Sequence, residues 1–238
     1  MNYPKSLEKC PIIDALVEIR FLPKYDDVVI PGLLYPHIAD RYGTFQKLPI
    51  ADIPENLRKS DPNLSFKPIY KFSNDSFVVQ VGPDVLTISS FPNYSGWDDF
   101  SEEIKFVLSK MIDLKLFDKV IQLGFRYINF FESDIFEKVK VEINIDGGFD
   151  YLKKTTLRTN HIEDVFNCSL HISSDVIFND SQNGSIIDIE LVTNQELEKL
   201  LYNDFSLIEK AHNIEKKMFF SLLKKDFLDS LKPVYNNE

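Results

Sequence analysis

The sequence predicts an α+β protein in which antiparallel sheets are each covered by helices. Three observations lead there. PIIDALVEIRF and the runs between Ser65 and Phe91 alternate apolar and polar residues with a period of two, as half-buried strands do. Two stretches, 98–114 and 205–228, repeat apolar residues at three- and four-residue steps, as amphipathic helices do. Turn residues such as Asn74-Asp75 and Gly82-Pro83-Asp84 separate neighbouring strand candidates by a few positions, which suits hairpins.

In chain order, Ile13, Ala15, Val17 and Ile19 alternate with Asp14, Leu16, Glu18 and Arg20 in the first strand. Val29 to Tyr42 reads as a helix that carries Pro36 awkwardly in its interior. The prolines between Gly43 and Asn63 predict an irregular surface connection with at most one short helical turn. LSFKPIYKF and SFVVQVGPDVLTISSF then form a meander. Ser95 or Asp98 caps a helix whose stripe is Phe100, Ile104, Val107, Leu108, Met111 and Leu114. Strands follow in VIQLGFRYINFF and VKVEINI, with a short helical turn near Asp134–Glu137 between them and the turn Asp146-Gly147-Gly148 after them. DVFNCSLHISS and SIIDIELVT are the last strand candidates, joined by a polar loop from Asn179 to Gly184. A helix from about Phe205 to Leu228 closes the pattern.

These elements read as two similar β-α-β-β-β-α halves, residues 1–118 and 119–238, either as separate domains or as one fused domain. No letter-by-letter identity links them, so a duplication is an expectation about structure.

Composition bounds the function. In 238 residues, 44% are hydrophobic and 27% charged, with 20 Phe and 10 Tyr, the proportions of a globular chain with a real core. The 27 basic residues against 37 acidic give a net charge of −10, which repels a phosphate backbone and removes the bulk electrostatic case for nucleic-acid binding. The two cysteines, Cys10 and Cys168, stand far apart, so neither a disulfide framework nor a zinc pattern is indicated. MNYPKSLEKC lacks a signal-like apolar core, and no run approaches the roughly 18 apolar residues of a membrane span. A cytoplasmic protein without membrane segments is the expectation.

No motif assembles a reaction. There is no glycine-rich phosphate cradle and no GxSxG elbow, and alternation sends Cys168 and His171 to opposite strand faces. His37, His161, His171 and His212 occur singly. His212 and Glu215 are three apart on the closing helix, a spacing that suits a histidine tethered by a carboxylate better than a metal site. Asp98-Asp99 and Glu102-Glu103 suit a helix start, and Asp188 and Glu190 share a strand face without implying a dyad. No catalytic residue, metal ligand or cofactor is assigned.

Candidate binding residues remain. In GFRYINFF, Arg126 falls on the opposite face from Tyr127 and Asn129, so Arg126 and Asn129 do not form one site. Arg126 calls for an acid such as Glu18, Glu142 or Glu190, and Asn129 suits a turn contact at a strand end. Glu18 and Arg20 close the polar face of the first strand. Tyr94 and Trp97, near Phe91, sit in a loop before a helix, as an aromatic anchor or as packing.

PIIDALVEIRF, YSGW, GFRYIN and LKPVY, in that order, resemble the motifs of a sporadically distributed family of uncharacterised bacterial proteins. The matching residues are Pro11, Glu18, Arg20, Phe21, Tyr94, Trp97, Gly124, Arg126, Tyr127, Asn129, Pro233 and Tyr235. Cys10-Pro11 stands where the family has Pro-Pro, and Asp14 where it has Glu. The resemblance implies no established enzyme activity. Its patchy distribution implies a part in bacterial defence or toxin–antitoxin systems.

The leading expectation is a non-enzymatic protein-interaction or sensor module, with a protein partner or a homo-oligomer. The alternative is a small-ligand binding protein or enzyme with a pocket between the sheet and the C-terminal helix, where Arg126 holds an anion and His212 or Tyr127 assists. Nucleic-acid binding through Lys153, Lys154 and Arg158 ranks below both.

Overall fold

A computed structural model of the protein describes residues 3–25, 29–143, 154–179 and 182–235, without the side chain of Lys59. The elements are β1 (Ser6–Leu7), β2 (Ile12–Pro23), α1 (Val29–Ile38), β3 (Thr44–Lys47), a 3-10 turn at Pro49–Asp52, α2 (Glu55–Ser60), β4 (Tyr70–Ser73), β5 (Phe77–Val81), β6 (Val85–Ser90) and α3 (Trp97–Asp113). They continue with β7 (Phe117–Phe131), a 3-10 turn at Ile135–Glu137, β8 (Thr156–Glu163), β9 (Phe166–Phe178), β10 (Gln182–Thr193), a 3-10 segment at Leu197–Tyr202, α4 (Ser206–Leu222), α5 (Lys225–Ser230) and β11 (Pro233–Val234). Nine strands hydrogen-bond in the order β3-β4-β5-β6-β2-β7-β10-β9-β8, and β1 pairs separately with β11. The α+β class is thus the observed one. Outward from its first strand the first half runs β2-β6-β5-β4-β3 and the second β7-β10-β9-β8, the same order except that β3 has no counterpart, which does not establish a duplication.

Two compact units partition the chain: Asp14–Phe125 with Val192–Glu209, and Met1–Ile13 with Arg126–Leu191 and Lys210–Glu238. In the first, alternation in β2 buries Ala15, Val17, Ile19 and Phe21 completely. The antiparallel register sets Val17 beside Ile88 and Ile88 beside Val79, so one sheet face is a continuous apolar layer. The helix α3 packs on β6 and α1, burying Phe100, Ile104, Val107, Leu108 and Met111. On the other face the same register aligns Gln46, Lys71, Gln80, Thr87 and Glu18 in one polar row across five strands. Gly82 is required by crowding, since a Cβ there would lie 2.7 Å from the Lys67 carbonyl oxygen.

In the second unit the apolar face comes from Tyr127 and Phe131 of β7, Leu170 and Ile172 of β9, and Ile187, Ile189 and Leu191 of β10. α4 contributes Ala211, Ile214, Phe219 and Phe220 to its core.

Several elements differ from expectation. The stretch after Gly43 is more regular than its prolines suggest, because β3 pairs with β4 and α2 follows. Strand β8 has six exposed residues among its eight and lacks the alternation that would have marked it; its partner β9 supplies the pairing. Of VKVEINI, residues 139–143 form no strand beyond an isolated bridge from Val139 to Leu223. The rest of that run, and the turn Asp146-Gly147-Gly148, lie outside the described residues. Gln182, Asn183 and Gly184 belong to β10, which shortens the expected loop. The closing helix breaks into α4 and α5 where the Lys224 amide donates to the Lys138 carbonyl. The N-cap of α3 is Gly96, at φ +94°, with no side-chain cap, and Trp97 begins the helix itself.

Candidate functional site

On β7, alternation places Arg126 and Asn129 on opposite faces. Arg126 Nε and Nη2 donate to Asp188 Oδ1 and Oδ2 at 2.8 and 2.7 Å, a bidentate pair with neither Glu18, Glu142 nor Glu190. His171 Nδ1 stands 3.8 Å from the same carboxylate. Asn129 is buried, and its Nδ2 donates to the Ile187 carbonyl at 3.2 Å, tying β7 to β10 instead of making a turn contact. The Tyr127 hydroxyl meets His212 Nδ1 at 3.3 Å. No hydrogen bond among the described residues joins His212 to Glu215, so the expected tether is replaced by Tyr127. Burial pushes the Glu215 carboxyl up to about 8. Cys168 is buried, and burial pushes its thiol up, so it is not poised as a nucleophile.

In the other unit, Arg20 Nε donates to Glu18 Oε1 at 2.7 Å, and the Arg20 guanidinium lies 4.9 Å from the centre of the Phe66 ring. Trp97 stacks edge-on to Phe100 and Phe125, and its Nε1 donates to Glu209 Oε2 at 3.1 Å. Lys105 reaches the other Glu209 oxygen at 2.9 Å. Tyr94 stands edge-on to Phe100. Trp97 and Tyr94 thus take part in packing at the start of α3.

Two surfaces on this unit were not singled out by sequence. The first is aromatic. The segment VIPGLLYPHI of α1 has no acidic residue and His37 as its one basic residue, yet only Ile30, Pro31, Leu34 and Ile38 are buried. Tyr35, at 42% exposure, stacks on Phe72 and tilts against Phe45, which is 53% exposed and stacks on Tyr70. Tyr35, Phe45 and Tyr70, with Pro31 and Gly32, line a groove of about 260 Å³. It lies beside β3, the edge strand of the sheet. The Leu48 amide bonds the Ile69 carbonyl, so in this register residues 44, 46 and 48 face β4, and the backbone groups of Phe45 and Lys47 point outward.

The second surface is a cleft of about 310 Å³ among Phe21, Leu22, Arg58, Leu64, Lys67 and Ile121. Arg58 Nε is held by the Ile53 carbonyl at 3.1 Å. Among the described residues neither Arg58 nor Lys67 forms an ion pair.

No family model matches the sequence, and neither does any curated protein at a significant level. No group of three or more His, Cys, Asp or Glu among the described residues is arranged to hold a metal. No helix among them is long and apolar enough to cross a membrane. What the arrangement offers chemically is apolar area and, among the described residues, a strand edge without a neighbour and two cations without an ion pair.

Proposed function

We propose that the protein is a cytoplasmic, non-enzymatic interaction module that docks an extended segment of a partner protein along β3. The supporting observation is a helix apolar around its circumference whose outer face stays exposed beside an edge strand. Helices of that composition ordinarily lie covered. Strand addition satisfies outward N–H and C=O groups, while a groove beside the edge selects side chains. The Tyr35–Phe45–Tyr70 groove suits one aromatic or branched apolar residue of the incoming strand. The four ordered motifs support a setting in bacterial defence or toxin–antitoxin systems.

The test uses peptides selected from a displayed library against the full chain. Selected peptides are expected to slow exchange of the Phe45 and Lys47 amides, and Tyr35→Ser and Lys47→Pro should each weaken them at least tenfold. Affinity unchanged from the parent chain in either variant, or protection elsewhere, overturns the proposal. A dimer that protects the same amides without peptide identifies a second copy as the occupant and also overturns it.

A further inference from the structure

The cleft beside Phe21 supports an inference independent of strand docking. Its wall, residues 64–67, is braced at Phe66 and Lys67. Gly82 lets the Lys67 carbonyl approach closer than any Cβ would allow. Phe66 adopts φ +53°, a left-handed conformation that a bulky non-glycine residue takes only when its surroundings impose it. The Arg20 guanidinium covers the Phe66 ring while Glu18 fixes that arginine at 2.7 Å. These contacts involve the Glu-x-Arg of the first strand, which no chemistry has otherwise absorbed.

The floor is apolar and firm, since Phe21 is fully buried and packs against Phe117 with ring centres 4.6 Å apart. Over this floor stand Arg58, half-buried, and Lys67, exposed, with unused N–H donors. Arg58 spends only Nε on Ile53, which orients the guanidinium and leaves its two terminal nitrogens. A planar cation fixed at one nitrogen, beside apolar surface and without a carboxylate partner, suits a carboxylate or phosphate. Glu55 and Asp84 also border the cleft, and both already engage other groups. A volume near 310 Å³ is at the small end for ligand pockets and accommodates a chain of several carbons with one head group.

We infer that this cleft binds a small amphipathic organic anion, its apolar body on Leu22, Leu64 and Ile121 above the buried Phe21 and its anionic group met by Arg58 and Lys67. Strand β3 runs into the 3-10 turn and α2 that carry Arg58, so occupancy fixes the segment leading from the docking edge.

Octanoate, octanol and octylammonium, matched in chain length, are titrated into the full chain and followed by amide chemical shifts. Octanoate is expected to shift Arg58, Phe66 and Lys67 and to bind at least tenfold more tightly than octanol, with octylammonium weakest. Arg58→Ala and Lys67→Ala should each lower octanoate affinity about fivefold to tenfold, and Arg58→Lys less. Both residues lie at the surface of the cleft, so a circular-dichroism melt identifies any variant that fails to fold, and Arg58→Lys then carries the comparison. No octanoate binding, equal binding of octanol, tighter binding of octylammonium, or shifts confined to Tyr35, Phe45 and Tyr70 overturns the inference. Tyr35→Ser should leave octanoate affinity unchanged, which separates failure here from failure of strand docking.

Discussion

Glu103 on α3 and Glu215 on α4 are glutamates at the same depth, 5% and 3% exposed, in different units. Glu103 has partners: Arg41 Nη1 donates to it at 2.8 Å and the buried Tyr42 hydroxyl donates to its other oxygen. Burial first, then that bond, holds the Tyr42 hydroxyl above the ordinary tyrosine range. Among the described residues Glu215 has no hydrogen bond or ion pair, and burial raises its carboxyl to about 8. Equal depth therefore does not mean equal surroundings for a buried acid. The chain just after α1 supplies Glu103 with two donors, whereas Glu215, buried without a partner among the described residues, keeps its proton at neutral pH.

The largest effect expected from this contrast is in pH dependence. The folded chain holds the Glu215 proton up to about pH 8, whereas the unfolded chain releases it near 4.5. Between those values the unfolded state binds fewer protons, so stability falls as pH rises, by roughly 3–5 kcal/mol in total, and falls no further from this group above 8. Glu215→Gln should flatten that slope in denaturant melts taken from pH 5 to 9. Parallel profiles for the variant and the parent would end the contrast.

Next in size is Glu103→Ala, which leaves the Tyr42 hydroxyl, 1% exposed, without its acceptor. A loss of about 1–3 kcal/mol is expected. The smallest effect is that of Arg41→Ala, because the arginine side chain is 50% exposed. Solvent screening limits the ion pair to about 1 kcal/mol or less, and stacking over Phe106 at 3.7 Å adds a modest share. Added salt should shrink this loss, whereas it should leave the Glu103→Ala loss nearly unchanged. If Arg41→Ala were the more damaging, the ion pair and not the buried Tyr42 bond would be the main anchor of Glu103.

The sequence made the α+β class legible because period-two and helical patterns dominate β2, β7, α3 and α4, where one face is buried and the other wet. It concealed β8, whose exposed residues take strand form from β9 without a periodic signal of their own. Opposite faces for Arg126 and Asn129 followed from alternation. The partner Asp188 did not, since pairing across strands depends on register, which residue spacing along one strand does not carry. The aromatic groove left a trace in VIPGLLYPHI, too apolar for a helix with a wet side. The cleft left almost none, because Phe21, Arg58, Lys67 and Ile121 are distant in sequence and converge only through topology.

The pairing of β1 with β11 has a practical consequence. The Lys5 amide bonds the Val234 carbonyl at 2.6 Å, and Ser6 stands opposite Val234. A fluorescence donor at residue 5 and an acceptor at residue 235 would therefore report the opening of this terminal clasp before the rest of the unit melts.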